Sequence, residues 1–296
     1  MRRRRPGCTG CAVRLVMLLG AAWLLLTVLG GGVLTDMWDA VTGRSNGLPG
    51  GWTHVLLLGV DLSSGGVSRT DSMMIASVSN GGSVKLTSIM RDTLVDIEGH
   101  GLHKINAAYA FGGPRLAMDT VNRALGLNIR RYAAVDFAGF AELIDAVGGI
   151  EVSVTREEMR AINRKKGHHL EDYGERTRLD GLQALRYSRI RKIDSDYMRA
   201  GRQRRIIQAL MDKARAVRNP VELVSLGRAA LKAIDTNMNA LELSAMGAKV
   251  MLSGSGIAQF RVPAEGTYES GAQDGIWSIR ADLERNRALF REFVYG

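Results

Sequence analysis

The chain has few cysteines and no acidic residue near its start. Cys8 and Cys11 are the two cysteines among its 296 residues, and both precede the first long apolar run. A single C-x-x-C pair lacks the second ligand pair that a structural zinc site needs, so we interpret the two as incidental or as a lipidation site. The remainder, about 250 residues, has no disulfide and must be stabilised by a hydrophobic core.

Acidic residues are absent from residues 1–34, which contain five arginines. The uncharged, mostly apolar run from Leu15 to Leu34 would be about 30 Å long as a helix, the hydrocarbon thickness of a bilayer. Arginines before the run and none directly after it predict a cytoplasmic N-terminus in the cell membrane and an extracellular C-terminal domain. A cleaved signal peptide is the alternative, but no clear cleavage site follows. The predicted organisation is a cytoplasmic tail at 1–14, a single-pass transmembrane anchor at 15–35, a linker at 36–52 and an extracellular catalytic domain at 53–296.

The charge balance beyond residue 34 argues against a dedicated nucleic-acid-binding protein. That part carries 35 basic and 30 acidic residues, a formal charge of +5. A modest excess of this size suits an anionic substrate or surface. The sequence contains no internal repeat, so a repeat architecture is not expected.

Short apolar, β-branched runs alternate with segments of helical period after residue 53. The predicted strands are His54–Val60, Ser72–Val78, Val84–Ile89, Thr93–Ile97, Tyr132–Asp136, Ile150–Val154 and Ile257–Val262. The predicted helices are Ile105–Ala124, Phe137–Ala146, 194–217, 220–234, 239–252 and one near 280–293. The polar residues 156–178 are interpreted as a helix that runs into a mobile surface loop. This alternation predicts an α/β fold, an α-β-α sandwich around a mixed central sheet.

Polar side chains follow two of the predicted strands. Asp61 ends one strand, and a glycine-rich turn leads from it to Asp71. Ligands collect beyond the carboxyl ends of strands in open α/β sheets, and two converging carboxylates can hold Mg²⁺ bridged to phosphate oxygens. Taken alone, Asp61 is better explained as a turn residue and Asp71 as the cap of a neighbouring segment. Arg91 and Asp92 follow another predicted strand and point to opposite sides if the chain stays extended.

Residues 186–218 contain eleven Lys/Arg residues against three Asp. Arg189 and Arg191 share one face if their segment is extended. Arg199, Arg202 and Gln203 share one face if theirs is helical. Guanidinium groups offer planar forks of donors that suit phosphate oxygens, so the pattern favours a bound multivalent anion. A basic, solvated helix is the alternative, and we interpret the further arginines, Arg204, Arg205, Arg215 and Arg218, in that way.

A series of motifs in this order resembles the LytR-CpsA-Psr family. The resemblance covers about residues 53–215 and rests on Leu58-Gly59-Val60-Asp61, Arg69-Thr70-Asp71, Ser88-Ile89-Met90-Arg91-Asp92, Lys104-Ile105-Asn106, Asp136-Phe137-Ala138-Gly139-Phe140, Val147-Gly148-Gly149-Ile150-Glu151-Val152, Leu179-Asp180-Gly181 with Ala184-Leu185, Tyr187-Ser188-Arg189-Ile190-Arg191, and Asp194-Ser195-Asp196 with Arg199 and Arg202-Gln203. One departure is Met90, where the family usually has proline. Met90 adds an amide donor and frees φ, which would aim Arg91 less rigidly.

The resemblance implies a glycopolymer transferase of Gram-positive-type cell walls. Such enzymes transfer a phosphosugar from a polyprenyl-diphosphate-linked glycopolymer to a peptidoglycan hydroxyl, with Mg²⁺ as cofactor. Teichoic acid, capsule and arabinogalactan are all linked to such a diphosphate lipid carrier, so the sequence does not identify the glycopolymer.

The resemblance also assigns roles to individual residues. Asp61 and Asp71 would be the metal carboxylates, and Asp92 would orient or deprotonate the acceptor hydroxyl. The diphosphate contacts would be Arg91, Arg189, Arg191, Arg199 and Gln203. Arg91, Asp92, Arg189 and Arg191 are the predicted catalytic residues. Phe137, Phe140 and Leu143 would line the lipid tunnel.

Two other functions stay open at this stage. A polyprenyl-diphosphate-sugar diphosphatase would use the same site with water as the acceptor. A non-catalytic lipid-binding regulator would keep the fold, although it has little need of the two carboxylates. A transcription factor is disfavoured, because the basic helix would lie outside the membrane.

Overall fold

The computed structural model describes residues 51–61, 69–190, 196–217, 220–252, 256–273 and 276–296. In chain order, strands β1 to β12 are Trp52–Asp61, Arg69–Ser79, Val84–Ile89, Leu94–Ile97, Gly101–Lys104, Arg131–Asp136, Ile150–Val154, Gly174–Leu179, Ile234–Thr236, Ala258–Val262, Tyr268–Gln273 and Ile276–Ala281. Helices α1 to α8 are Ala107–Leu125, Phe137–Ala146, Arg156–Ile162, Gly181–Ser188, Asp196–Ala216, Pro220–Ala233, Ala240–Leu252 and Leu283–Tyr295.

A mixed six-stranded sheet lies at the centre, in the order β10-β3-β2-β1-β6-β9. Strand β1 pairs antiparallel with β2 and parallel with β6, while β3 pairs antiparallel with β2 and parallel with β10. The carboxyl ends of β1, β3 and β6 therefore lie at the same edge of the sheet. The predicted α/β fold with a mixed central sheet is confirmed.

Both faces of the sheet are covered by helices, as a strand with apolar residues on both sides requires. Leu56 and Leu58 of β1 belong to a core that also contains buried residues of α1 and α8. Leu57, between them, packs on the opposite face with Ile207 of α5 and Val250 of α7. The alternation along β1 thus divides the domain into two apolar layers.

Three elements, β3, α2 and β7, have the bounds that the sequence predicts. Strand β8 contradicts the predicted loop at 156–178, because its residues pair antiparallel with β7 and bury Thr177 and Leu179. Strand β12 lies where the final helix was predicted to begin, and β9 lies at the predicted end of the 220–234 helix. These strands were missed because they are short or alternate with exposed, charged side chains.

The predicted tail at 1–14 and anchor at 15–35 lie outside the described residues, so the anchor stays a prediction. The predicted linker at 36–52 also lies outside them up to residue 50, and it ends earlier than predicted because Trp52 already belongs to β1. Among the described helices, none is both long and apolar enough to cross a bilayer.

The C-terminal helix is joined to β1 by hydrogen bonds of a half-buried histidine. His54 forms hydrogen bonds with Ser77 Oγ at 2.9 Å and with Tyr295 OH at 2.8 Å. Lys85 Nζ donates to the carbonyl oxygens of Phe293 and Val294, at the end of α8. Burial lowers the pKa of His54 from 6.5 to about 4.

We expect the free energy of unfolding to fall as the pH drops from 6.5 towards 4. Between pH 6.5 and 4, the unfolded chain binds a proton on His54 and the folded chain does not. The contribution of neutral His54 to the free energy of unfolding is therefore fully present above pH 6.5, and the free energy of unfolding is about 3 kcal/mol lower at pH 4. Urea unfolding at pH 7, 5.5 and 4 measures the slope, and His54→Gln should flatten it. Equal slopes for the two proteins would contradict this linkage.

Candidate active site

A β-bulge in β2 positions Asp71. Gly59 pairs with Ser72 and Val60 pairs with Thr70, so Asp71 has no residue opposite it on β1. Adjacent residues of a regular strand point to opposite faces, but the extra residue of a bulge is re-aimed. Asp71 and Ser72 consequently line the same cavity.

Four alternating charges connect Asp71 with the loop after β3. Arg91 NH1 donates to Asp71 Oδ1 at 2.7 Å, and Arg91 Nε lies 3.4 Å from Asp92 Oδ2. Lys104 Nζ donates to Asp92 Oδ1 at 2.7 Å. These contacts hold Asp71, Arg91 and Asp92 close together.

The prediction that Arg91 and Asp92 point to opposite sides is wrong. The chain turns here instead of staying extended: Thr93 N donates to Met90 O at 3.1 Å, and Thr93 Oγ1 donates to the same oxygen at 2.7 Å. Met90 N donates to Val262 O at 2.8 Å, a bond that proline could not form. The additional amide donor thus fastens the turn that carries Arg91.

Lys104 is a site residue that sequence reasoning did not single out. It was expected to open a helix, whereas it ends β5 and α1 begins at Ala107. Ile105 N donates to Thr93 O at 2.8 Å, which brings β5 beside the Arg91 turn. The Lys104-Ile105-Asn106 motif pointed to this segment, but the sequence did not indicate that the Lys104 ammonium group would pair with Asp92.

Arg189 lies at the mouth of the cavity. It is the C-cap of α4, so the expected extended conformation is wrong at this position. Its guanidinium lies 3.9 Å from the Phe137 ring centroid, and its NH2 is 3.7 Å from Asp61 Oδ2. The side chain remains 41% exposed, so a ligand can reach it. Arg191, its predicted partner, lies outside the described residues.

Helix α5 separates residues that the sequence predicted to share one face. Arg199 is buried, and Gln203 Oε1 accepts a hydrogen bond from Ser72 Oγ at 2.9 Å at the cavity wall. Arg202 instead donates through Nε to Glu158 Oε1 at 2.7 Å and through NH1 to Ile190 O at 3.1 Å. Arg202 therefore stabilises the packing of α3 on α5.

The interpretation of Arg204, Arg205 and Arg215 as a solvated face is wrong. Arg204 is buried and donates to Gln259 Oε1 at 2.7 Å and Ser88 Oγ at 2.8 Å. Arg205 NH1 donates to Tyr187 OH at 2.7 Å, and burial raises the pKa of Tyr187 to about 12. Arg215 Nε donates to Val250 O at 3.2 Å. The long side chains of these three arginines thus reach polar partners in other elements. Arg218, the fourth arginine interpreted in this way, lies outside the described residues.

An apolar cavity of about 250 Å³ extends inward from Asp71 and Arg189. Its walls come from the sheet and from α2, α4 and α5. Phe137, Phe140 and Leu143 line it, as the sequence predicts, together with Ile206 and Leu210. Its polar lining atoms belong to Asp71, Ser188, Arg189 and Gln203 among others. The cavity therefore has an apolar interior and a charged mouth.

The residues at this mouth suit a divalent cation that is completed by a ligand. Within the described ranges, no group of three or more His, Cys, Asp or Glu side chains could hold a metal. Mg²⁺ in phosphoryl-transfer sites typically takes one or two carboxylates, substrate oxygens and water. Asp61 and Asp71 supply two carboxylates near the edge of the sheet, which fits that donor set.

The fold and site define an α/β protein whose apolar cavity opens at clustered carboxylates and cations. The chain belongs to the LytR_cpsA_psr (LytR-CpsA-Psr) family, whose model matches residues 42–289.

Two relatives and one solved structure illustrate the similarity. The regulatory protein MsrR of Staphylococcus aureus is 34% identical over 253 residues, which cover 82% of this chain and 75% of MsrR. The polyisoprenyl-teichoic acid--peptidoglycan teichoic acid transferase TagU of Oceanobacillus iheyensis is 42% identical over 170 residues, 54% of this chain and 51% of TagU. Bacillus subtilis TagT, solved with bound octaprenyl pyrophosphate lipid, superposes with a TM-score of 0.65 at 21% identity, covering 83% of this chain and 91% of TagT.

Proposed function

We propose that this protein transfers a phosphosugar-linked glycopolymer from a polyprenyl-diphosphate carrier to a hydroxyl of peptidoglycan. The observation that carries the proposal is the cavity, which is apolar inside and ends at Asp71 and Arg189. A polyprenyl diphosphate has the same two parts, an apolar chain and a multivalent anion. The name of TagU and the lipid bound to TagT support this class of donor.

The donor would bind with its prenyl chain among Phe137, Phe140 and Leu143. Burial of apolar surface would contribute about 25 cal/mol per Å², which favours a long hydrocarbon over a soluble nucleotide sugar. Arg189 would then meet the diphosphate at the cavity mouth, with Arg91 and Arg199 as further predicted contacts. Gln203, held by Ser72, would donate to an oxygen of the donor through its amide.

Asp61 and Asp71 are the residues that would hold Mg²⁺. A bound Mg²⁺ would neutralise diphosphate oxygens and polarise the phosphorus. Arg91 pairs with Asp71, so this arginine fixes the position of the carboxylate. Pre-positioned charges of this kind need no rearrangement during the reaction.

The reaction would be a displacement at the sugar-proximal phosphorus. The acceptor oxygen forms a bond to phosphorus while the bond to the bridging oxygen breaks, and polyprenyl phosphate leaves. The hydroxyl proton would pass to a nearby base, for which Asp92 is the candidate. Lys104 and Arg91 both pair with the Asp92 carboxylate, and these contacts orient it.

Reconstitution distinguishes transfer from the two alternative functions. With the full chain in detergent, a polyprenyl-diphosphate donor labelled in its sugar and purified peptidoglycan, we expect label on peptidoglycan that depends on Mg²⁺. Chelation with EDTA should abolish transfer, and added Mg²⁺ should restore it. Label found as free phosphosugar would identify a diphosphatase instead.

Donor binding without turnover would favour a regulator, a function suggested by the name of MsrR.

Asp71→Asn tests the role of Asp71 in this assay, because it keeps the shape of the side chain and removes its charge. We expect this variant to lose transfer activity. Full activity of this variant would contradict the assignment of Asp71.

A further inference from the structure

A second cavity lies on the other side of α2. This open cleft of about 480 Å³ is lined by Val60, Tyr109, Glu142, Lys232 and Asp235 among others. Its volume is within the range of about 300–1,000 Å³ found for small-molecule sites. Unlike the apolar cavity, it exposes charged and hydroxyl groups, so it suits a polar ligand.

Helix α2 separates the two cavities. Phe137, Phe140 and Leu143 recur at intervals of three residues and line the apolar cavity. Ala138 and Glu142 are four residues apart and line the polar cleft. Positions with these spacings lie on distinct faces of a helix, so one element forms a wall of both cavities.

The two cavities meet at the edge of the sheet that carries the candidate active site. Val135 and Asp136 line both. Val60 precedes Asp61 at the end of β1, and its partner on β6 is Asp136. Asp136 Oδ1 accepts a hydrogen bond from Gly139 N at 2.7 Å, which caps α2 and holds the end of the wall in place.

We propose that the polar cleft binds the acceptor glycan, as a neutral, hydroxyl-rich sugar chain. This inference rests on the proposed transfer reaction. In a phosphoryl transfer, the attacking and leaving oxygens are roughly in line across the phosphorus. A leaving group whose lipid occupies the apolar cavity therefore requires an acceptor that approaches from a different side, and the cleft is the neighbouring cavity that adjoins it at Val135 and Asp136.

The charges of the cleft fit a neutral sugar and oppose the anionic donor. Among the described residues that line it, Asp136, Glu142 and Asp235 carry carboxylates and Lys232 carries an ammonium. Carboxylates accept hydrogen bonds from sugar hydroxyl and amide groups, while they repel a diphosphate. They do not form a metal-binding group of three within the described chain, so a spread ligand suits them better than one cation.

Glu142→Lys tests the cleft, with Glu171→Lys as the matched control. Both glutamates are exposed and both substitutions change the net charge equally, but Glu171 lies in the loop between α3 and β8. The probe is a neutral tetrasaccharide of N-acetylglucosamine, whose binding to the full chain in detergent is measured by saturation-transfer NMR. We expect Glu142→Lys to weaken this binding at least about tenfold, because a charge-assisted hydrogen bond is lost.

Glu171→Lys should bind the tetrasaccharide like the wild type, and both variants should bind polyprenyl diphosphate normally. Unchanged tetrasaccharide binding in Glu142→Lys, or none in the wild type, overturns the cleft assignment. The transfer assay reports separately on the reaction. Tetrasaccharide binding without any transfer would refute the proposed function alone, and transfer with an unchanged acceptor KM in Glu142→Lys would refute the cleft alone.

Discussion

Replacing Arg189 by alanine is expected to lower kcat for glycopolymer transfer about a thousandfold while the domain stays folded. The guanidinium lies at the cavity mouth, 3.7 Å from Asp61 Oδ2, where negative charge would increase in the transition state. It is 41% exposed, so its removal opens no cavity in the core, and its partner Asp61 is still 16% exposed to solvent. Single-turnover transfer measures the effect, and the pH-7 unfolding curve checks the fold.

Two further variants make this result specific. Arg176 is 84% exposed and pairs with Glu151 on the β7–β8 hairpin, so Arg176→Ala should transfer normally. Arg189→Lys keeps a positive charge but loses the planar fork and the stacking on Phe137, and it should give an intermediate rate. Wild-type turnover by Arg189→Ala would remove Arg189 from the diphosphate site.

Arg202→Met is expected to lower the free energy of unfolding by about 3–5 kcal/mol. Arg202 and Glu158 form an ion pair with side chains only 1% and 4% exposed. Removing the guanidinium leaves a carboxylate buried without its counter-charge, and desolvation of that charge is costly. Urea unfolding measures the loss.

The double variant Arg202→Met with Glu158→Gln separates charge from packing. The amide oxygen of glutamine can still accept a hydrogen bond from Thr155 N, as the Glu158 carboxylate does in the capping box of α3. With no charge left buried, the double variant should be more stable than Arg202→Met alone. Equal or greater destabilisation would show that packing, and not the unpaired carboxylate, determines the cost.

The fold was largely predictable because its main elements carry strong periodicity. Strand β3 and helix α2 have the predicted bounds, since apolar residues recur along them at intervals that fit one structure. Strand β8 was not predicted at all, because most of its side chains are exposed and charged and because its pairing with β7 is a contact between distant parts of the chain. Local patterns cannot reveal a strand that is defined mainly by its partner.

The arginines were harder to sort than the strands. In the sequence, Arg199, Arg202 and Arg204 lie in one predicted basic helix, where spacing alone assigned Arg199 and Arg202 to an anion and Arg204 to solvent. In the structure, Arg202 faces Glu158 and Arg204 faces Ser88, and these partners lie 44 and 116 residues away in the chain. Charge density therefore predicted an anion site in this segment, but only the packing shows which of its arginines have partners within the fold.

The bulge at Asp71 makes the length of β2 a requirement of the site. Thr70 and Ser72 pair with consecutive residues of β1, and Asp71 is the one residue in excess. Deleting Thr70 or Asp71 would restore a regular ladder, in which neighbouring side chains alternate between faces. Such a deletion would take a carboxylate from the cavity without altering the number of strands. This segment therefore tolerates a change of residue type more readily than a change of residue number, and homologous sequences aligned here should preserve the count.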